Sequence, residues 1–121
     1  MAETSRTDKI EAIIDIGKYD QKLVKAFGIL AEELVSGQTD IQSVEFGQVM
    51  QGINWTVEVL KQVMDVIQEE PAQLDIVSIN DALTAFHNAY AQEDTVQLAA
   101  VLRDKMIPAF QQICELGTRY E

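Results

Sequence analysis

One cysteine, one histidine and one tryptophan occur in a chain of 121 residues, and only 2 prolines and 6 glycines interrupt it. Each scarcity excludes something. With Cys114 alone, neither an internal disulfide nor a cysteine-based zinc site can form. His87 alone cannot supply the paired Glu-x-x-His motifs of a di-iron bundle. Too few prolines and glycines are present for a loop-rich all-β protein, so helix is expected. The alternating acids and central glycine of a calcium loop are missing, as are a glycine-rich phosphate loop and a Gly-x-Ser-x-Gly elbow. No apolar run approaches the roughly 20 residues that span a bilayer. The opening MAETSRTDKIEAIIDIGK carries acids and no long apolar stretch, so a secretory signal is not expected. A cytoplasmic protein with no metal and no cofactor is the expectation.

Apolar residues make up 47% of the chain and charged residues 24%, the balance of a globular domain, and residues 1–121 read as one domain. The charge is uneven. Residues 1–25 carry five basic and five acidic side chains, and residues 103–121 carry three of each. Residues 26–102 set Lys61 alone against twelve acids, which accounts for the entire net charge of −11. Repulsion from phosphates argues against nucleic acid and against anionic membranes as partners. A solvated face or a surface that steers a basic partner are the two readings left.

The apolar spacing predicts four helices. Ile13, Ile16, Asp20, Leu23, Phe27, Leu30 and Leu34 step by three and four, from a start near Ser5 or Thr7 to a stop at Gly37. Gly17 and the acid at position 20 disturb this stripe, so either one long helix or a break between them is compatible with it. A second helix, from Thr39 or Asp40 to before Pro71, carries Phe46, Met50, Ile53, Val57, Leu60, Met64 and Ile67. A third, over 72–91, carries Ile76, Ile79, Leu83, Phe86 and Tyr90. A fourth is capped by Asp94 or Thr95 and stops at Gly117, with Pro108 inside it and a kink expected near Asp104. Short connections make this an all-α, antiparallel four-helix bundle, its fourth helix kinked at Pro108.

No residue set for catalysis stands out. His87, in TAFHNAY, is expected to be a partly buried structural residue, although a phosphorelay or enzyme using it is a remote alternative. Cys114 reads as a small core residue. Asp20 and Lys105 both interrupt apolar stripes and could pair if the first and last helices are neighbours. On the second helix Trp55, Val59 and Val66, with Ile41 and Val44 before them, lie opposite or oblique to the main stripe. So wide an apolar surface needs cover: the N-terminal segment or a neighbouring helix, an amphipathic helix of a partner, or a second copy in a homodimer. Those five residues are the candidate partner-binding set.

The stretches YDQKLVKAFGILAEEL, FGQVMQGINWTVEVLKQVM and INDALTAFHNAYAQEDTVQLAAVLRDKMIPAFQQI resemble, in helix length and apolar spacing, the flagellin export chaperones of bacteria. The last also resembles Firmicute bundle proteins that share a Leu-Ala-x-x-Leu…Ile-Pro segment, here Leu98 to Pro108. The resemblance implies a binding bundle, an export chaperone or adaptor, rather than an enzyme. It carries over no binding residue.

Overall fold

Ser5 opens the first helix: its side chain accepts the Asp8 N–H, one of the donors that a helix start leaves free. From there α1 (Arg6–Ser36) runs unbroken for 31 residues in the computed structural model, which describes residues 5–121. Gly37 ends it in the left-handed conformation, φ 79°, as expected of a glycine just past a helix. The alternative of a break at Gly17 and Asp20 is therefore set aside. Gly17 is tolerated inside the helix because α1 crosses another backbone there. A Cβ at Gly17 would lie 2.9 Å from the Cα of Gly117, and one at Gly117 would lie 3.0 Å from the Cα of Gly17.

The second helix starts later than the spacing suggested. The Asp40 carboxylate accepts the Gln42 N–H and holds a turn, and Ser43 caps α2 (Val44–Ile67) by accepting the Phe46 N–H. A single 3-10 turn at Pro71–Gln73 follows. Asp75 then caps α3 (Ile76–Ala91), moving its start from the expected Ala72. Asp94 caps the last helix as foreseen, accepting the Gln97 N–H. This helix, α4 (95–120), consists of Thr95–Val101, a π turn at Leu102–Met106, and Ile107–Tyr120.

The π turn is the form taken by the irregularity expected near Asp104. A proline lacks an N–H and clashes with the carbonyl four residues back, so Pro108 cannot close a regular turn. The chain instead inserts one wide turn just before it, in which the Ile107 N–H reaches back five residues to the Leu102 carbonyl. Gly117 does not stop α4, which continues to Tyr120. Its small size serves the crossing with Gly17.

Neighbouring helices run antiparallel. Along α1 and α2, Lys9 meets Asp65 and Asp20 meets Thr56, so one number falls as the other rises. Gly17 meets Gly117 and Phe27 packs edge-on against Phe110 along α1 and α4. α1 packs most closely against α2 and the second half of α4, while α3 lies on α4. Across to α2, Phe46 stacks on Phe86 and Tyr90, bringing the far corner together. The core runs the length of the bundle and includes Ile13, Phe27, Phe46, Phe86, Met106 and Phe110, all buried. Each such side chain contributes about 1.5–3 kcal/mol by leaving water.

α2 is rotated from the expected stripe. Phe46, Ile53, Leu60 and Ile67 are buried, but so are Val49, Thr56 and Val63, while Met50, Val57 and Met64 are half-buried. The reason is its closest neighbour: α2 turns toward α1, on which it packs more tightly than on α3. Among the described residues, no helix is long and apolar enough to cross a membrane.

Candidate binding groove between α1 and α2

A glycine sets the geometry of the α1–α2 seam. Gly52 faces α1, and a Cβ there would stand 2.5 Å from the Tyr19 hydroxyl and 3.1 Å from the Leu23 Cδ1. Its absence lets the Tyr19 ring lie across α2. That ring meets Trp55 edge-on, with centroids 5.1 Å apart and planes at 77°, a favourable arrangement for two aromatic quadrupoles. Both remain open to solvent, Tyr19 at 37% and Trp55 at 45% exposure.

Beside this pair a surface groove of about 320 Å³ runs between the helices. Leu23, Ala26, Leu30 and Val49 line its apolar part, and Ile29, 59% exposed, stands on its wall. Lys22, Glu33, Glu45 and Gln48 also line it. A second depression, lined by Tyr19, Gln48, Gln51, Gly52 and Trp55, shares Tyr19 and Gln48 with the first and extends it. Large apolar side chains form the middle of this surface, and side chains of both charges form its rim.

One residue along from the aromatic pair on each helix lies a polar pair. Asp20 and Thr56 are both 0% exposed, and the Thr56 hydroxyl donates to Asp20 Oδ1 at 2.8 Å. Asp20 Oδ2 is buried without a partner. Burial pushes this carboxyl up to about 7, against the smaller opposing effect of the Thr56 hydrogen bond. The expected partnership with Lys105 is not found. Lys105 falls within the π turn and is exposed, and Thr56 holds Asp20 instead. Cys114 is half-buried. Burial first, and the nearby Asp20 second, push its thiol up to about 11.

The five residues expected to bind a partner do not form one surface. Trp55 lines the groove extension. Val59 is half-buried and packs against the core. Val66 is buried, so it offers no surface, because α2 is rotated toward α1. Ile41 lies in the turn before α2, where a helical phase does not apply, and is half-buried against the core. Val44 is 72% exposed as the first residue of α2, away from the groove lining. Sequence reasoning missed Tyr19 and Ile29, both contributed by α1. Their signal was present: two large apolar side chains fall off the α1 stripe, in phase with Lys22 and Ala26.

His87 is exposed, and its ring stands edge-on to that of its neighbour Phe86, with centroids 5.8 Å apart. Among the described residues, no group of three or more His, Cys, Asp or Glu side chains could hold a metal ion. Over residues 11–116 the chain matches the family described as a domain of unknown function, DUF8042, and it belongs to that family. No curated protein and no solved structure matches it. The matched span contains every residue of the groove and of the Asp20–Thr56 pair.

Proposed function

We propose that this chain is a non-catalytic, protein-binding helical bundle that seats an amphipathic helix in the groove between α1 and α2, as an export chaperone or adaptor does. The observation that carries the reading is the contiguous exposure of Tyr19, Trp55 and Ile29 around a groove floored by Leu23, Leu30 and Val49. Aromatic side chains that stay half-open beside an apolar channel are the usual anchors of an interface.

The absence of catalysis in this reading is supported by chemistry. At neutral pH the Cys114 thiol holds its proton. Among the described residues, Asp20 is the one carboxyl with a strongly raised pKa, and it is fully buried. The reading sets the protein in the cytoplasm, where a free cysteine persists without a disulfide partner.

Trp55 is the sole tryptophan and reports on the groove directly. Protein captured from cell extract by the wild type, then titrated against it, is expected to shift Trp55 emission to the blue. Ile29→Asp is expected to weaken that binding at least tenfold, about 1.4 kcal/mol, with unchanged helicity by circular dichroism. Binding by the variant at wild-type strength would remove the groove from the function.

A further inference from the structure

The groove wall on α1 has an internal symmetry. Lys22, Ala26, Ile29 and Glu33 follow one another by four, three and four residues, a single line on the helix, and all four line the groove. Reversed about the point between Phe27 and Gly28, the line maps onto itself with its properties exchanged. Lys22 changes places with Glu33, and small Ala26 with large Ile29. On the same stretch of α1, Lys25 also precedes this point and Glu32 follows it, though neither maps onto an opposite charge.

These charges are also unspent. Arg6, Lys9, Lys18 and Lys61 each lie against an acid. Among the described residues, Lys22, Lys25, Glu32 and Glu33 form no ion pair with one another or with any other side chain. Residues 18–25 hold three of the nine basic side chains, Lys18, Lys22 and Lys25. Of the charged side chains that line the groove, Lys22 is basic and Glu33 and Glu45 are acidic.

We propose that the helix seated in the groove is α1 of a second copy of this chain, laid antiparallel across a two-fold axis near Phe27 and Gly28. The proposal rests on the reading of the groove as a helix seat and names its occupant. Lys22 of each copy faces Glu33 of the other, close to Glu45 on the same end of the groove. Ile29 of each copy enters the notch at Ala26 of the other. A two-fold contact repeats every interaction, so each complementary pair counts twice. The two ion-pair positions lie about 16 Å apart along α1, from eleven residues at a rise of roughly 1.5 Å. Rim pairs of this kind add little individually and mainly fix register, while the apolar centre supplies affinity.

Sedimentation equilibrium of the full chain tests this. Wild type is expected at twice the protomer mass of 13.5 kDa in the tens of micromolar. Lys22→Glu alone and Glu33→Lys alone each set like charges opposite one another, and each is expected to weaken the dimer roughly tenfold. The double variant Lys22→Glu, Glu33→Lys restores the opposition with signs reversed and is expected to return to within about twofold of wild type. These are exposed or half-buried positions, so folding is not at stake, and circular dichroism confirms it. A wild-type monomer at 100 µM, taken as roughly the weakest association the measurement resolves, or a double variant as weak as the singles, would overturn the proposal. If that monomer still loses a different protein through Ile29→Asp, the groove reading survives without the second copy. A dimer indifferent to Lys22, Glu33 and Ile29 would lie on another face and would also overturn the proposal, leaving the groove reading to its own test with Ile29→Asp.

Discussion

Asp20 is the residue whose chemistry departs furthest from its ordinary behaviour. An ordinary aspartate ionises near 3.8, but burial raises this one to about 7 in the folded chain. The folded state therefore holds a proton that the unfolded state gives up. Stability from this group is fully present below pH 3.8 and declines as pH rises to about 7, beyond which the loss is complete. Asp20→Asn keeps a hydrogen-bond acceptor for Thr56 and removes the ionisation. Urea unfolding from pH 4 to 8 is expected to show a decline of about 2–4 kcal/mol attributable to Asp20 in the wild type and its absence in the variant. The glycines give a second test at this scale. Gly47 has open space where a Cβ would go, so Gly47→Ala is expected to stabilise α2 by about 0.5–1 kcal/mol. Gly17→Ala makes the same exchange in a helix interior with the opposite sign, a loss of about 1–3 kcal/mol, because it drives into the Gly117 backbone. Thermal or urea unfolding of the two variants side by side separates propensity from packing. Neither Gly17 nor Asp20 could be read correctly from its own neighbours in sequence, since the residues that explain them, Gly117 and Thr56, come from other helices.

The helices themselves were legible wherever a side chain closes an end. Ser5, Asp94 and Gly37 mark boundaries through local hydrogen bonds or backbone conformation, which a sequence carries in full. Asp94→Ala is expected to cost about 1 kcal/mol by freeing the Gln97 N–H, measurable by urea unfolding. Boundaries failed where two caps competed. Asp40 holds a turn while Ser43 begins α2, and both residue types cap equally well on paper. The face of α2 was less legible than its existence. Periodicity identifies a stripe but not which neighbour draws it, and the approach permitted by Gly52 turned Val49, Thr56 and Val63 inward. For the same reason Trp55 was found as part of the candidate surface, whereas Tyr19 and Ile29 became meaningful only once α1 was placed beside it.

At the scale of the molecule, charge opposes compaction. Twenty acidic side chains face nine basic ones, and the net −11 lies within residues 26–102. Added salt screens this repulsion, with a Debye length falling from about 30 Å at 0.01 M to about 8 Å at 0.15 M. The melting temperature is expected to rise over that range, against the smaller loss from screening exposed pairs such as Arg6–Glu69 and Lys9–Asp65. Differential scanning calorimetry in sodium chloride checks the sign. The crossing of Gly17 with Gly117 has a consequence of another kind. Its two members stand a hundred residues apart, and at roughly 5–20 residues per second a ribosome needs about 5–20 s to make the second after the first. Throughout that interval α1 can pair with α2 but not with the helix against which it packs most closely. The element synthesised first is thus the last to be fully enclosed.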